Sequence, residues 1–203
     1  MRPPSLVLAA FAAALLAGCS SGPRTEFHTL MQPPAAVAAG SRAAPFAFRI
    51  ESPVRVPAQV DQPQLVLRSA GGGVQVQEYQ RWVAPISEEW RDAIADRLVR
   101  RLGAVDASRV PAPAGLKRWD LRLDLQRFDA EPGGAVVQQA AWSVLQATQP
   151  TALLSCVTTV SGPAGATIAE VVAAQRQLAQ RLADGIGDAL SALQAGRSAA
   201  CPG

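Results

Sequence analysis

The chain has 203 residues, 49% of them hydrophobic and 17% charged, with 16 Pro, 16 Gly, three Cys and one His, a length that suits a single domain. The ordinary apolar content and a net charge of only +3 exclude a disordered chain. The 19 basic residues, nearly all Arg, are dispersed among 16 acids, which argues against a phosphate track and hence against nucleic acid as a partner.

Residues 1–18 place Arg2 ahead of an apolar run from Leu6 to Leu16. A bilayer-spanning helix takes about 20 residues, so this shorter run reads as a signal peptide. It ends in Leu16-Ala17-Gly18-Cys19, the pattern of a bacterial lipobox, in which the Cys becomes the acylated first residue of the mature chain. The alternative is an ordinary signal peptide with Cys19 left for a disulfide. Three acyl chains exceed the two signals that stable anchoring takes, so the mature protein is expected to be held to a membrane through Cys19 without spanning it. Ser20 then indicates the outer membrane by analogy with lipoprotein sorting. Loss of Arg2 and acylation of the amine bring the charge to about +2.

Residues 19–25 form the tether, 26–196 a single periplasmic domain and 197–203 a C-terminal tail. Phe27 to Leu30 reads as a short first strand, and Met31 to Pro45, rich in Ala and Pro, as a loop. Phe46, Phe48 and Ile50 share one parity before Pro53 and Pro57 end the pattern. Leu65 to Arg68, the turn Gly71-Gly72-Gly73, and Val74 to Tyr79 make a hairpin. No Lys-Ser/Thr follows the glycines, so they are not a phosphate loop.

Ser87 to Leu102 is a helix with Ser87 as N-cap, Glu88 and Glu89 at its positive end and Gly103 just past its last turn. Trp90, Ile94, Leu98 and Leu102 form its core row, and Arg91, Arg97, Arg100 and Arg101 lie on a solvated face. Trp119 to Gln126 alternates strictly, turning Trp119, Leu121, Leu123 and Leu125 inward. Pro132-Gly133-Gly134 turns it into Ala135–Ala147, where Trp142 and Val144 stand with the polar Gln138 and Gln146, and Leu153 to Val160 is a further strand. Thr167 and Glu170 form a capping box that opens a last helix of about 27 residues, with Gly185 and Gly187 weakening its later turns. The class is α+β: a mixed, largely antiparallel sheet with two helices packed on one face, in the order strands, helix, strands, helix.

No catalytic constellation emerges, and no enzyme activity is expected. The one His, His28, sits beside the tether, where a catalytic base lacks rigid support. Asp120 and Asp124 share a strand face, but about 13 Å apart and with Arg122 between them, too far for a carboxylate pair. No cofactor or metal motif occurs. Cys156 and Cys201 pair uniquely if a disulfide forms in the oxidising envelope; a buried free Cys156 is the alternative.

Phe27-His28-Thr29-Leu30, Ile50, Pro53-Val54, Val56-Pro57, Val60-Asp61-Gln62-Pro63-Gln64-Leu65-Val66, Arg68 and Arg81-Trp82-Val83-Ala84-Pro85, together with the lipobox, resemble the ABC-type transport auxiliary lipoprotein family, within it the paraquat-inducible protein C-like group. Gln62 stands where that family usually has Arg, and Val60 where it has Leu. The resemblance implies an outer-membrane lipoprotein on the periplasmic face and self-association as a homo-oligomer. It also implies a partner from a transport system with mammalian-cell-entry-domain proteins or ABC transporter components, moving lipids or other apolar molecules between membranes. Candidate contacts are Asp61, Gln62 and Gln64 of the turn and Arg81 and Trp82 of the following segment; for Pro63 and Trp82 a structural role, as strand start and core, is the alternative. A second functional reading is an envelope lipoprotein that binds peptidoglycan or activates a wall synthase.

Overall fold

In a computed structural model of the chain, residues 22–33, 44–149 and 151–202 are described. The signal segment, Cys19 and the middle of the 31–45 loop lie outside them. In chain order the described residues form β1 (Glu26–His28), β2 (Ala47–Ile50), β3 (Gln64–Arg68), β4 (Val74–Trp82), α1 (Ile86–Leu102), β5 (Val105–Asp106), β6 (Arg118–Ala130), β7 (Ala135–Gln146), β8 (Ala152–Pro163) and α2 (Ile168–Gln194).

The α+β class holds, with both helices and mostly antiparallel pairing, but the strands divide into two sheets instead of one. A five-stranded sheet runs β5-β2-β6-β7-β8 and a three-stranded one β1-β4-β3. β2 is paired in parallel on both sides, by β5 and β6, so the β3–β4 hairpin does not lie beside it and instead takes β1 as its neighbour.

Strict alternation on β6 seals one face of the larger sheet. Trp119, Leu121, Leu123 and Leu125 are buried there with Trp142 and Val144 of β7 under the helices. Gln138 shares the inward face of β7 and is fully buried. It survives there because every polar group finds a partner. The Trp90 indole donates to Gln138 Oε1 at 3.0 Å, and Gln138 Nε2 donates to the Gln175 carbonyl and side chain at 2.8 and 2.7 Å. Gln175 Nε2 in turn donates to the Asp129 carbonyl at 2.7 Å.

The N-cap of helix α1 lies two residues earlier than its serine suggests. Pro85 is the N-cap residue, with no side-chain cap, and its carbonyl accepts from the Glu88 and Glu89 amides at 2.9 and 3.0 Å. Proline's fixed φ suits this boundary, so Ser87 falls inside the helix. At the other end Gly103 adopts the left-handed conformation and bonds Val99, as a C-terminal glycine does. The capping box at Thr167 and Glu170 is present in both directions.

The arginine face of α1 is not simply solvated. Arg97 forms a two-pronged bond to Asp184 of α2 at 2.8 and 3.0 Å, Arg101 reaches Asp188 at 2.5 Å, and Arg91 is buried. These pairs cross between the helices where Gly187 allows close approach: a Cβ there would stand 3.4 Å from Leu98 and 3.2 Å from Arg101. Gly187 is thus a packing position as well as a weak helical one.

Candidate partner-binding site

The smaller sheet gathers the contact residues named from sequence. Register sets Gln64 opposite Arg81 and Arg81 opposite Phe27. Trp82 donates its amide to the Pro63 carbonyl at 2.8 Å, and Val83 donates to the His28 carbonyl at 2.9 Å. The 58–62 turn is closed by Val60 to Pro57 and Gln62 to Val60 backbone bonds at 3.0 and 2.8 Å, with buried Val60 as its peg. The result is a groove of about 370 Å³ between Asp61, Gln62 and Pro63 on one side and Trp82, Val83, Ala84 and Pro85 on the other.

The named residues differ in what they offer. Asp61 is exposed at the rim, while the Gln62 amide spends a donor on the Gln59 carbonyl at 3.1 Å. Gln64 and Arg81 are half-buried, and Arg81 Nε is buried with no protein partner among the described residues. Trp82 is core: it is 6% exposed and meets Phe128 edge to face at 6.0 Å, an arrangement aromatic quadrupoles favour. The residue that sequence reading passed over is Val83, 61% exposed directly after that buried Trp. Its signal was the alternation itself, which must turn Val83 outward once Trp82 faces in.

The N-terminal arm locks into the body next to this groove. Leu30 is buried in the core. Its amide and the Thr29 hydroxyl both donate to Glu89 Oε2, at 2.8 and 2.7 Å, while Arg176 donates to the Thr29 carbonyl at 2.8 Å. His28 Nε2 lies 2.5 Å from Gln80 Oε1, so its ring is engaged by an amide and not by an acid or a nucleophile.

On the outer face of the larger sheet, Asp120 pairs with Arg49 and Arg118 at 3.0 and 3.1 Å, Asp124 with Arg55 at 2.8 Å, and Glu51 with Arg122 at 2.8 Å. Asp124 and Glu51 form surface ion pairs, each contributing at most about 1 kcal/mol, whereas Asp120 is buried between its two arginines. Asp129 is different. Burial works against its charge, but hydrogen bonds from Arg127 and Arg68 outweigh that and hold its carboxyl below the usual range. Among the described residues no group of three or more His, Cys, Asp or Glu side chains could hold a metal ion.

Cys156 and Cys201 are joined by a disulfide, with their Cα atoms 5.5 Å apart. It clips the tail against β8, and Pro202 packs where a Cβ on Gly185 would stand, 2.8 Å away. No described helix is long and apolar enough to cross a membrane.

Comparison with known proteins places this architecture. The crystal structure of an uncharacterized protein superposes with a TM-score of 0.64 at 17% identity, covering 81% of this chain and 97% of that one. A Xanthomonas campestris protein assigned to the DUF330 family does so with a TM-score of 0.58 at 20% identity, covering 74% and 86%. At these identities the likeness is one of fold. A search of the curated proteins finds no match to this chain. The model of the ABC-type transport auxiliary lipoprotein component matches residues 28–187, a span that takes in the locked N-terminal arm, both sheets, the groove and most of α2, and so this chain belongs to the ABC-type transport auxiliary lipoprotein family.

Proposed function

We propose that the protein is a non-catalytic adaptor of an ABC-type or mammalian-cell-entry-domain transport system for lipids or other apolar molecules. In this reading it is anchored by acylated Cys19 in the outer membrane, faces the periplasm, works as a homo-oligomer and binds a protein partner of the system. The observation that carries the reading is the groove at the base of the smaller sheet, where exposed Val83 and Asp61 stand with Pro63, Ala84 and Pro85 along one concave lining. An exposed apolar residue in a concave, mostly apolar lining suits a docking side chain better than it suits solvent.

A photo-crosslinking residue at Val83 or Gln62 of the full lipoprotein, expressed in cells, tests this. Adducts with a mammalian-cell-entry-domain protein or a transporter component are the expected result. Adducts with lipoprotein-sorting factors alone, or the same adducts from exposed Val110 in the loop after β5, overturn it. Cosedimentation with purified peptidoglycan would instead favour a wall-associated role.

A further inference from the structure

Strand β8 is an edge of the five-stranded sheet: among the described residues β7 pairs with one side of it and no strand with the other. Its residues, Ala152–Pro163, carry no charge at all, and proline enters only at the last position. Charges and prolines are the usual means by which a protein keeps such an edge from pairing with another chain. Here the strand is built of Leu, Val, Thr, Ser, Ala and Cys up to Gly162, a composition that favours further strand pairing. Whatever protects this edge has to come from elsewhere in the molecule.

Register identifies the backbone groups at stake. Ala164 donates its amide to the Gly134 carbonyl at 3.0 Å, and along an antiparallel pair bonded and unbonded positions alternate. Gly162, Val160, Thr158 and Cys156 therefore spend their backbone groups on β7, while Ser161, Thr159, Val157 and Ser155 turn theirs to the open side. Two groups from outside the strand meet that side. Arg181 of α2 donates to the Ser161 carbonyl at 2.7 Å, passing over Gly162, where a Cβ would stand 3.1 Å from its guanidinium. At the other end Cys201 Sγ lies 3.5 Å from the Ser155 carbonyl oxygen, held there by the bridge to Cys156. The tail reaches this place by turning back along α2. Arg197 donates its amide to the Ala192 carbonyl at 2.9 Å, Ala199 packs on the core, and Pro202 sits against Gly185.

We propose that the C-terminal tail, pinned through Cys156 and Cys201, caps the β8 edge together with Arg181, and that release of the tail turns this edge into a pairing surface for β8 of a second copy of the chain. The strand itself selects that occupant. Two uncharged β8 edges meet in antiparallel register with outward backbone groups facing outward backbone groups and with no like charges brought together, and Val157, 60% exposed, gains an apolar neighbour. The inference is independent of the transport reading and of any oligomer that reading uses, because it concerns an association that the pinned chain excludes. The disulfide then has a task besides constraining the unfolded chain: it keeps a pairing-prone edge closed in the folded one.

The test compares the purified full chain in detergent with one in which Cys156→Ala and Cys201→Ala unpin the tail, each carrying a photo-crosslinking residue at Val157. Covalent self-dimer should rise several-fold on unpinning. Adding Thr159→Pro, which removes an outward N–H and leaves the β7 ladder intact, should return it to the parent level. Cooperative urea unfolding identifies the chains that are folded. Dimer at the parent level in the folded, unpinned chain overturns the proposal. A rise that Thr159→Pro leaves unchanged also overturns it, since the association then runs through another surface. If the unpinned chain does not fold, Arg181→Ala decides, because it keeps the disulfide and uncovers only the Ser161 carbonyl: self-dimer above the parent level is expected, and the parent level overturns the cap.

Discussion

The two sheets of this protein use the same alternation to opposite ends. On β6 the apolar positions Trp119, Leu121, Leu123 and Leu125 are all buried beneath helices, whereas on β4 Val74 and Val76 are each about half exposed, at 53% and 48%. The difference lies in what covers them: α1 and α2 seal the inward face of the larger sheet, while of the hairpin only Leu65, Leu67 and Trp82 are buried in the cores. Burial in the first sheet specifies the fold. Exposure in the second leaves apolar side chains that contribute little to the stability of this chain.

The sharpest way to break the contrast is to strike the sealed sheet. Trp90→Ala removes a fully buried indole and its bond to Gln138 and is expected to cost about 3–5 kcal/mol, read by urea unfolding with the disulfide intact. Gln138→Ala should cost less, about 1–3 kcal/mol, because it leaves the Trp90 N–H and the Gln175 side chain with lost partners. Equal unfolding midpoints for that variant and the parent would mean that water replaces the amide.

Acid should separate the two regions further. The folded carboxyl of Asp129 sits below its ordinary value. Its stabilisation is therefore complete above the unfolded pKa of about 3.9 and is lost as pH falls through the lower folded value. The parent should lose stability on that acid flank, and Asp129→Asn should lose less there while being weaker at neutral pH. Parallel pH profiles of the two chains would remove Asp129 from the account. The smallest effect belongs to the tip of the β3–β4 hairpin: Val76→Asp should change stability by no more than about 0.5 kcal/mol, since Val76 is about half exposed. A larger loss would show that the hairpin is part of the core after all.

Much of the larger sheet was legible because its signals are local. The alternation of 119–126, the Pro-Gly-Gly turn and the Thr167 capping box each specify an element within a few residues. What escaped depends on distant partners. Gln138 is polar and fully buried, yet its amide is satisfied from Trp90 and Gln175, 48 and 37 residues away. Arg97 and Arg101 look like a solvated face until α2 brings Asp184 and Asp188 to them. The second sheet was illegible for a related reason: that β5 and β6, and not the hairpin, flank β2 depends on pairing between distant segments. In the groove, the turn at 61–64 and the segment at 81–82 were visible as chemistry, but that Trp82 faces in and Val83 out is settled by Phe128 across the core.

One consequence of the N-terminal arm is mechanical. A pull delivered through the N-terminal segment enters along the axis of β1, which lies parallel to β4 with its leading end towards the hairpin tip. Such a load shears the β1 hydrogen bonds together; it does not peel them one by one. Behind them stand the buried Leu30 side chain and the bonds from Glu89 and Arg176, which tie the arm to both helices. Tension is thereby shared between a strand ladder and two helices, and the domain meets it as one body before any single strand can come away.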